Sequence, residues 1–245
     1  MIEMHTLNKA MEVDSIQRNG MRAKEIVSEI NKIFLILSVL LLVFCGFTFV
    51  SCNKDNGLTK EINKIISKDL LQAMEDMGMP IYRGNNPPVN IEGKYIIAPD
   101  VCIATNIPND GFGPCFRFDD FYPTFSNQNN KKQTITVSAS QSSTKGDGYG
   151  GYIVGTDDKF TVFVPMDNVK NGHSFKTVDV YSAIAAPNGL KNCYHSAFMI
   201  SGGGSKWALM ENNQGRVIYD ADGFSEIISI KTSQKTNGGT IYDTE

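Results

Sequence analysis

The chain is short of the residues from which metal and nucleophile sites are built. It has three histidines and one tryptophan in 245 residues. No spacing of His, Asp or Cys matches a zinc site, so no metal is expected. A lone histidine on a strand, such as His195, is expected to be a hydrogen-bonded structural residue. His173, in Asn171-Gly172-His173, is placed in a loop. No Gly-x-Ser-x-Gly elbow is present. The run Ser201-Gly202-Gly203-Gly204-Ser205 has no base beside it and reads as a turn. Neither sign of charge is in excess. With 23 basic against 26 acidic residues and a net charge of -3, the chain lacks the basic face that a nucleic-acid partner requires. Gly and Pro are interspersed, which excludes collagen-like and low-complexity classes. No internal repeat is visible.

Some motifs are present in letters only. Gly146-Asp147-Gly148-Tyr149-Gly150-Gly151 matches the dinucleotide fingerprint, whose mechanism needs a helix to follow. Here Tyr152-Ile153-Val154 reads as strand, and the run is expected to be a flexible hairpin turn. Asp220-Ala221-Asp222-Gly223 hints at a calcium loop. With Gly223 at loop position 6, Ile218 and Ser229 fall at ligand positions 1 and 12, and neither suits the ion. A turn is expected there too. Asp119 or Asp120, partnered by Asp179, Glu211 or Asp222, could supply the two carboxylates of glycoside hydrolysis. Neighbouring acids on a strand point to opposite faces, so only one of the first two could serve. Nothing in the sequence assembles such a site, so neither an enzyme nor a cofactor is expected.

One long hydrophobic run exists, at residues 33–50. Arg22, Lys24 and Lys32 precede it. It ends in Phe49-Val50-Ser51-Cys52, and polar Asn53-Lys54-Asp55-Asn56 follows. A basic lead, an apolar centre and a small residue before the cut make a secretory signal. The Cys after the small residue resembles a bacterial lipobox. That resemblance implies cleavage between Ser51 and Cys52 and a diacylglycerol on the Cys52 sulfur. Cys45 is a poor rival, because bulky Phe44 precedes it and apolar residues continue beyond it. The alternative is an uncleaved transmembrane anchor, since the run is long enough to span a bilayer. Two or more acyl chains hold a protein stably on a membrane. The expectation is therefore a cell-envelope, outer-membrane lipoprotein, facing either the periplasm or the surface. Residues 1–51 form the signal segment, with Met21 as a candidate start and residues 1–20 as an extension. Removing 1–51 takes away equal numbers of acids and bases, so charge predicts no partner.

Residues 52–57 read as a lipidated tether. Residues 58–78 predict one amphipathic helix, with Leu58, Ile62, Ile65, Ile66, Leu70, Ala73, Met74 and Met77 on a 3.6-residue stripe. Gly78 and Pro80 stop it. The stripe either packs on the following domain or docks an accessory partner. From residue 91 the pattern changes to period-two runs separated by turn residues. Strands are predicted around 93–98, 115–122, 134–140, 151–154, 160–164, 178–185, 192–200, 206–210 and 216–219, with 226–230 as a last candidate. Thr156-Asp157-Asp158-Lys159 predicts a hairpin. Residues 231–245 are a polar tail. Short strands at this spacing, with no βαβ crossover, predict an all-β sandwich or an up-and-down barrel over 79–230.

The segment Asn86-Pro87-Pro88-Val89-Asn90-Ile91-Glu92-Gly93-Lys94-Tyr95 resembles the start of the barrel in lipocalin-like (calycin-like) lipoproteins of Bacteroidetes type. Gly93 with Tyr95 fits the glycine and aromatic that mark the first strand of lipocalins at large. Leu190-Lys191-Asn192, Phe198-Met199-Ile200 and Arg216-Val217-Ile218-Tyr219-Asp220-Ala221-Asp222-Gly223 resemble the last strands of that group. The resemblance implies an eight-stranded antiparallel barrel behind one N-terminal helix, with no established activity. Such a barrel is just wide enough for side chains or one small ligand. Tyr95, Phe116, Phe118 and Trp207 are the candidate walls of an apolar pocket. The same aromatics could instead fill the interior. The expected function is non-catalytic binding of a small apolar ligand or a surface partner. Export would also permit a disulfide. Cys102 with Cys115 is one pairing, which would stabilise by about 3 kcal/mol on the chain-entropy model. Cys102 with Cys193 is another, and three reduced thiols a third possibility.

Overall fold

A computed structural model describes residues 57–87, 90–204 and 210–229. The signal segment, Cys52, nearly all of the tether, Trp207 with the 206–210 strand up to Leu209, and the polar tail lie outside the described residues. The strands in chain order are β1 (Asn85–Asn86), β2 (Gly93–Tyr95), β3 (Asp100–Thr105), β4 (Tyr122–Asn129), β5 (Thr134–Gln141), β6 (Thr144–Thr156), β7 (Lys159–Lys170), β8 (His173–Ala186), β9 (Gly189–Ser201), β10 (Gly215–Asp220) and β11 (Phe224–Ser229).

The described residues are all-β apart from an N-terminal helical layer. From β4 to β9 each strand pairs antiparallel with the next. β9 then forks. Its first residues pair with β11, and its middle, Tyr194 to Phe198, pairs with β10. β11 pairs with β2, and β2 with β4. Eight strands thereby form a closed ring, β2-β4-β5-β6-β7-β8-β9-β11, with β10 and β3 as a branch. The only parallel pairing among them is β1 with β6.

Alternation sets which side chains enter the ring. Along β7, Phe160, Val162, Val164 and Met166 join the interior cluster, while Phe163 joins a second cluster outside. Both faces of β7 are buried, so its sequence is an almost unbroken apolar run. Tyr95, Phe125, Ile135, Val137, Ile153, Tyr181, Ala183, Leu190 and Cys193 complete most of the interior. The hairpin predicted at Thr156 to Lys159 joins β6 to β7, with Asp157 in the left-handed region at φ 60°.

The outer cluster is the helical layer. Leu58, Ile62, Ile66, Leu70, Leu71 and Met74 pack on Val154, Phe163, Val178, Val180, Phe198 and Val217. The predicted single helix is two pieces, Ile62–Ile65 and Lys68–Asp76. The break follows from Ser67. Its hydroxyl accepts the Leu70 N–H at 3.2 Å and caps the second helix, leaving Ile66 extended. The stripe survives the break and is buried against the ring, which leaves it no free docking face.

Several stretches differ from the sequence reading, and His173, read as loop, opens β8 and pairs with Lys170. Residues 115–121 form a loop held by isolated bridges, Val101 to Arg117 and Ile97 to Phe121, and the strand begins only at Tyr122. Cys115 sits at φ 73°, which a strand does not allow. β3 was not predicted, because its short run Asp100 to Thr105 mixes polar ends with one cysteine. The Gly146-to-Gly151 run is not a turn but part of β6, with a bulge between Gly148 and Tyr152. Its glycines answer to crowding from β7. A Cβ on Gly148 would lie 2.4 Å from Met166 Sδ and 2.5 Å from Val164 Cγ2. Gly148→Ala is therefore expected to cost about 1–3 kcal/mol by overpacking. Gly111→Ala, which meets nothing within 4 Å, is expected to change stability by less than about 0.5 kcal/mol. Urea denaturation of the two variants checks the contrast.

Candidate functional site

The ring is filled at one end only. The inner face of β8 shows the change: Ala183 and Tyr181 belong to the packed cluster, while Asp179 and Thr177 line a cavity of about 410 Å³. Register sets which residues stand beside this step. Asp179 pairs with Val164 on β7 and Ala197 on β9, and Ala197 pairs with Arg216 on β10. Gly146 leaves room on β6 where a side chain would close the space, since a Cβ there would lie 2.2 Å from Asn168 Oδ1.

One wall is aromatic. Phe112, Phe116 and Phe118 come from the loop between β3 and β4, with ring centroids 4.8 Å apart for the first two and 4.9 Å for the last two. Phe121 completes the wall and stacks on His195 at 4.3 Å, with the ring planes 6° apart.

The loop is held by a buried ion pair. Arg216 donates Nε–H and Nη2–H to the two oxygens of Asp110, both at 2.7 Å. Asp110 also accepts the Thr105 hydroxyl at 2.8 Å and the Phe112 N–H at 3.0 Å. The Arg216 hydrogen bonds hold the Asp110 carboxyl down to about 2, outweighing its burial, and the Phe112 N–H and Thr105 hydroxyl add to them. The guanidinium also lies 5.6 Å above the Phe112 ring. One carboxylate thus fixes β10, the end of β3 and the aromatic wall together.

The polar wall is a chain of buried hydrogen bonds. Asn168 donates to the Thr177 hydroxyl at 2.9 Å, and Thr177 donates to Asp179 Oδ1 at 2.6 Å. The Tyr181 hydroxyl donates to Asp179 Oδ2 at 3.2 Å. Asp179 is only 7% exposed. Burial raises its carboxyl to about 6, against the lowering effects of Thr177, nearby His195 and Tyr181. His195 Nε2 is 2.7 Å from Oδ1 of Asp100, a fully buried carboxyl. Gln141 Nε2 donates to Asp100 Oδ2 and to the Asp119 carbonyl, each at 2.7 Å. The Ser142 hydroxyl bonds the Asp119 carboxylate.

Of the residues singled out in the sequence, Phe116 and Phe118 line the cavity. Tyr95 does not. It is buried in the packed end, where its hydroxyl donates to the Ile91 carbonyl at 3.0 Å and its ring meets Phe125 edge-on. Trp207 lies outside the described residues. Among the scattered acids, Asp119 and Asp179 share the cavity wall, and Asp120, Glu211 and Asp222 are not part of it. His195 is hydrogen-bonded as expected, but its place is in the wall of the cavity. Cys102, Cys115 and Cys193 are free thiols. The Cys115 N–H donates to the Cys102 carbonyl at 2.8 Å, yet the Cys102 thiol turns to the Ala104 carbonyl, so neither pairing is formed. Asp220 to Gly223 is a turn, as expected. Among the described residues no three His, Cys, Asp or Glu side chains are grouped to hold a metal. Sequence reasoning missed Asp110 and Arg216, which are joined only in space.

Arg216→Ala is expected to destabilise the chain by about 3–5 kcal/mol, because it leaves Asp110 charged, buried and unpaired. Asp110→Ala should cost a similar amount, and the double variant less than the sum. A double-mutant cycle by denaturant unfolding checks this, and additive losses would show that the pair does not act as a unit.

Comparison with protein-family models, with curated proteins and with solved structures finds no match, so the function is read from the cavity and its walls.

Proposed function

We propose that the chain is a membrane-anchored lipoprotein whose ring is a lipocalin-like barrel, and that it binds one small molecule in its open end without transforming it. A single observation carries the binding half of this reading. The ring interior stops being packed at Tyr181, and beyond it lies about 410 Å³ of space between an aromatic wall and a polar one. Drug-sized pockets begin at about 300 Å³ and combine apolar walls with a few placed polar groups. The ligand is amphipathic rather than purely apolar, because Asp179, Thr177, Asn168 and His195 face it with hydrogen-bonding atoms. The accessory-subunit reading has less to stand on, since the stripe it would use is buried under the ring. The anchoring half rests on the sequence pattern at Cys52.

The binding half is tested by calorimetric titration of the processed chain, held in phospholipid nanodiscs, with 3-ethylindole as a neutral probe and empty nanodiscs as the blank. Saturable binding is expected. Ala197→Phe and Ala139→Phe, which put a ring into the cavity, should each weaken it about tenfold or more, a loss of about 1.4 kcal/mol. Binding that is absent, or unchanged in both variants, would remove the cavity from the function. The anchoring half is tested by intact mass of the envelope-purified chain. The wild type should begin at Cys52 and carry acyl mass, and Cys52→Ser should carry none. An unmodified wild-type Cys52 would count against the lipoprotein.

A further inference from the structure

The cavity holds three buried carboxylates in or behind its walls, and they are not equivalent. Asp110 has Arg216 on both oxygens. Asp100 has His195 on one oxygen and Gln141 on the other. Asp179 has two hydroxyl donors and, among the described residues, no cation within ion-pair distance. The two basic side chains nearest in register, Arg216 and His195, are each bonded to another acid. Lys170 at the end of β7 and Arg117 in the loop between β3 and β4 line the same cavity, but neither lies within ion-pair distance of Asp179. A carboxylate accepts about four hydrogen bonds, and Asp179 receives two. A buried anion without a counter-charge in contact is costly, and Asp179 lines the cavity.

We propose that Asp179 is the anchor for a protonated amine, and that the ligand of this cavity is a small primary amine with a flat apolar body. The inference rests on the cavity being the binding site. An ammonium supplies the charge that Asp179 lacks and up to three donors. The Phe112, Phe116, Phe118 and Phe121 wall takes the apolar body. Its ring faces tolerate a neighbouring cation, as Arg216 over Phe112 already shows. A carboxylate or phosphate ligand would meet Asp179 as a like charge. Burial places the Asp179 carboxyl at about 6, which leaves it mostly ionised at neutral pH. Other ionisable groups surround it: Tyr181 on its own strand, Lys170 on β7, His195 on β9 with Asp100 behind it, Arg216 on β10, and Arg117 and Asp119 in the loop between β3 and β4. Because several ionisable groups surround Asp179, a pH profile would mix their effects, and comparison of charge-matched probes is the cleaner readout.

The test titrates the processed chain in nanodiscs at pH 7.5 with three probes of one shape: tryptamine, 3-ethylindole and indole-3-propionate. Tryptamine should bind about tenfold or more tighter than 3-ethylindole, the scale of a charge-assisted hydrogen bond. Indole-3-propionate should bind weakest. Asp179→Asn should remove the tryptamine preference and leave 3-ethylindole within about twofold, while Asp179→Glu should keep part of it. Equal affinity of wild type for tryptamine and 3-ethylindole would overturn the amine assignment and leave the binding site standing, and it needs no variant to fold. A preference retained in Asp179→Asn would also overturn it. Absence of binding by all three probes would overturn the binding site itself.

Discussion

A ring of eight strands encloses a space that side chains can just fill, and this chain fills one end of it. Everything else about the molecule follows from how that choice is written along the strands. The inner positions of β8 run Ala183, Tyr181, Asp179, Thr177, from apolar to polar over four positions. β7 changes more slowly, from Phe160, Val162 and Val164 to Met166 and then Asn168. β6 contributes Ile153 at the packed end and Gly146 and Gly148 toward the other, where any Cβ would strike β7. Pairing register brings these changes onto one inner wall, because residues opposite one another on neighbouring strands share a face. A single strand with a polar residue would leave a buried defect. Several strands changing within a few residues of one another make a floor.

The floor is expensive in isolation and is kept by the packing around it. Asp179 and Asp100 are carboxyl groups taken out of water, which is costly unless their oxygens are hydrogen-bonded. The hydroxyls of Thr177 and Tyr181 and the amide of Gln141 each donate to them, so the desolvation is partly offset by bonds that suit the ionised form. Tyr181 belongs to both regions. Its ring closes the packed core against Phe125, edge-on at 5.4 Å, and its hydroxyl turns to Asp179. The helical layer outside steadies the same strands from behind, with Val178 and Val180 of β8 in the outer cluster beside Met74 and Ile62. Alternation thus gives one strand three tasks: apolar packing outside, apolar packing inside at one end, and polar contacts inside at the other.

How much of this was legible depended on whether the signal was local. Alternation in Thr134–Gln141 and the dense apolar run in Lys159–Lys170 announced β5 and β7, because each strand's own sequence records its burial. The hairpin at Asp157 was legible for the same reason. Phe116 and Phe118 were found as cavity residues, yet assigned to a strand: two aromatics at a spacing of two resemble alternation, and the left-handed Cys115 and the bridges that hold the loop leave no mark in the local pattern. The Gly146-to-Gly151 run suggested a turn, since the crowding that demands glycine comes from β7, outside its own window. Asp179 stood only among the scattered acids, because nothing beside it in sequence reports that it is buried without a cation. Asp110 and Arg216 are 106 positions apart, and only the closure of β10 on β3 brings them together.

The cavity end of the ring is closed differently from the packed end, and this bears on how it is built to work. At the packed end, β11 and β2 continue the ladder from β9 to β4. At the cavity end the branch stops at β3, and among the described residues no ladder joins β3 to β5. The gap is spanned by the loop between β3 and β4 and by side chains: Gln141 to Asp100 and to the Asp119 carbonyl, and Ser142 to Asp119. Backbone ladders open only over many bonds at once, whereas a seam of a few side-chain bonds opens locally. The Asp110–Arg216 pair lies on the other side of that loop and ties it to β10. One edge of the aromatic wall is therefore fixed by a bidentate ion pair, and the other by a few side-chain hydrogen bonds that can exchange singly.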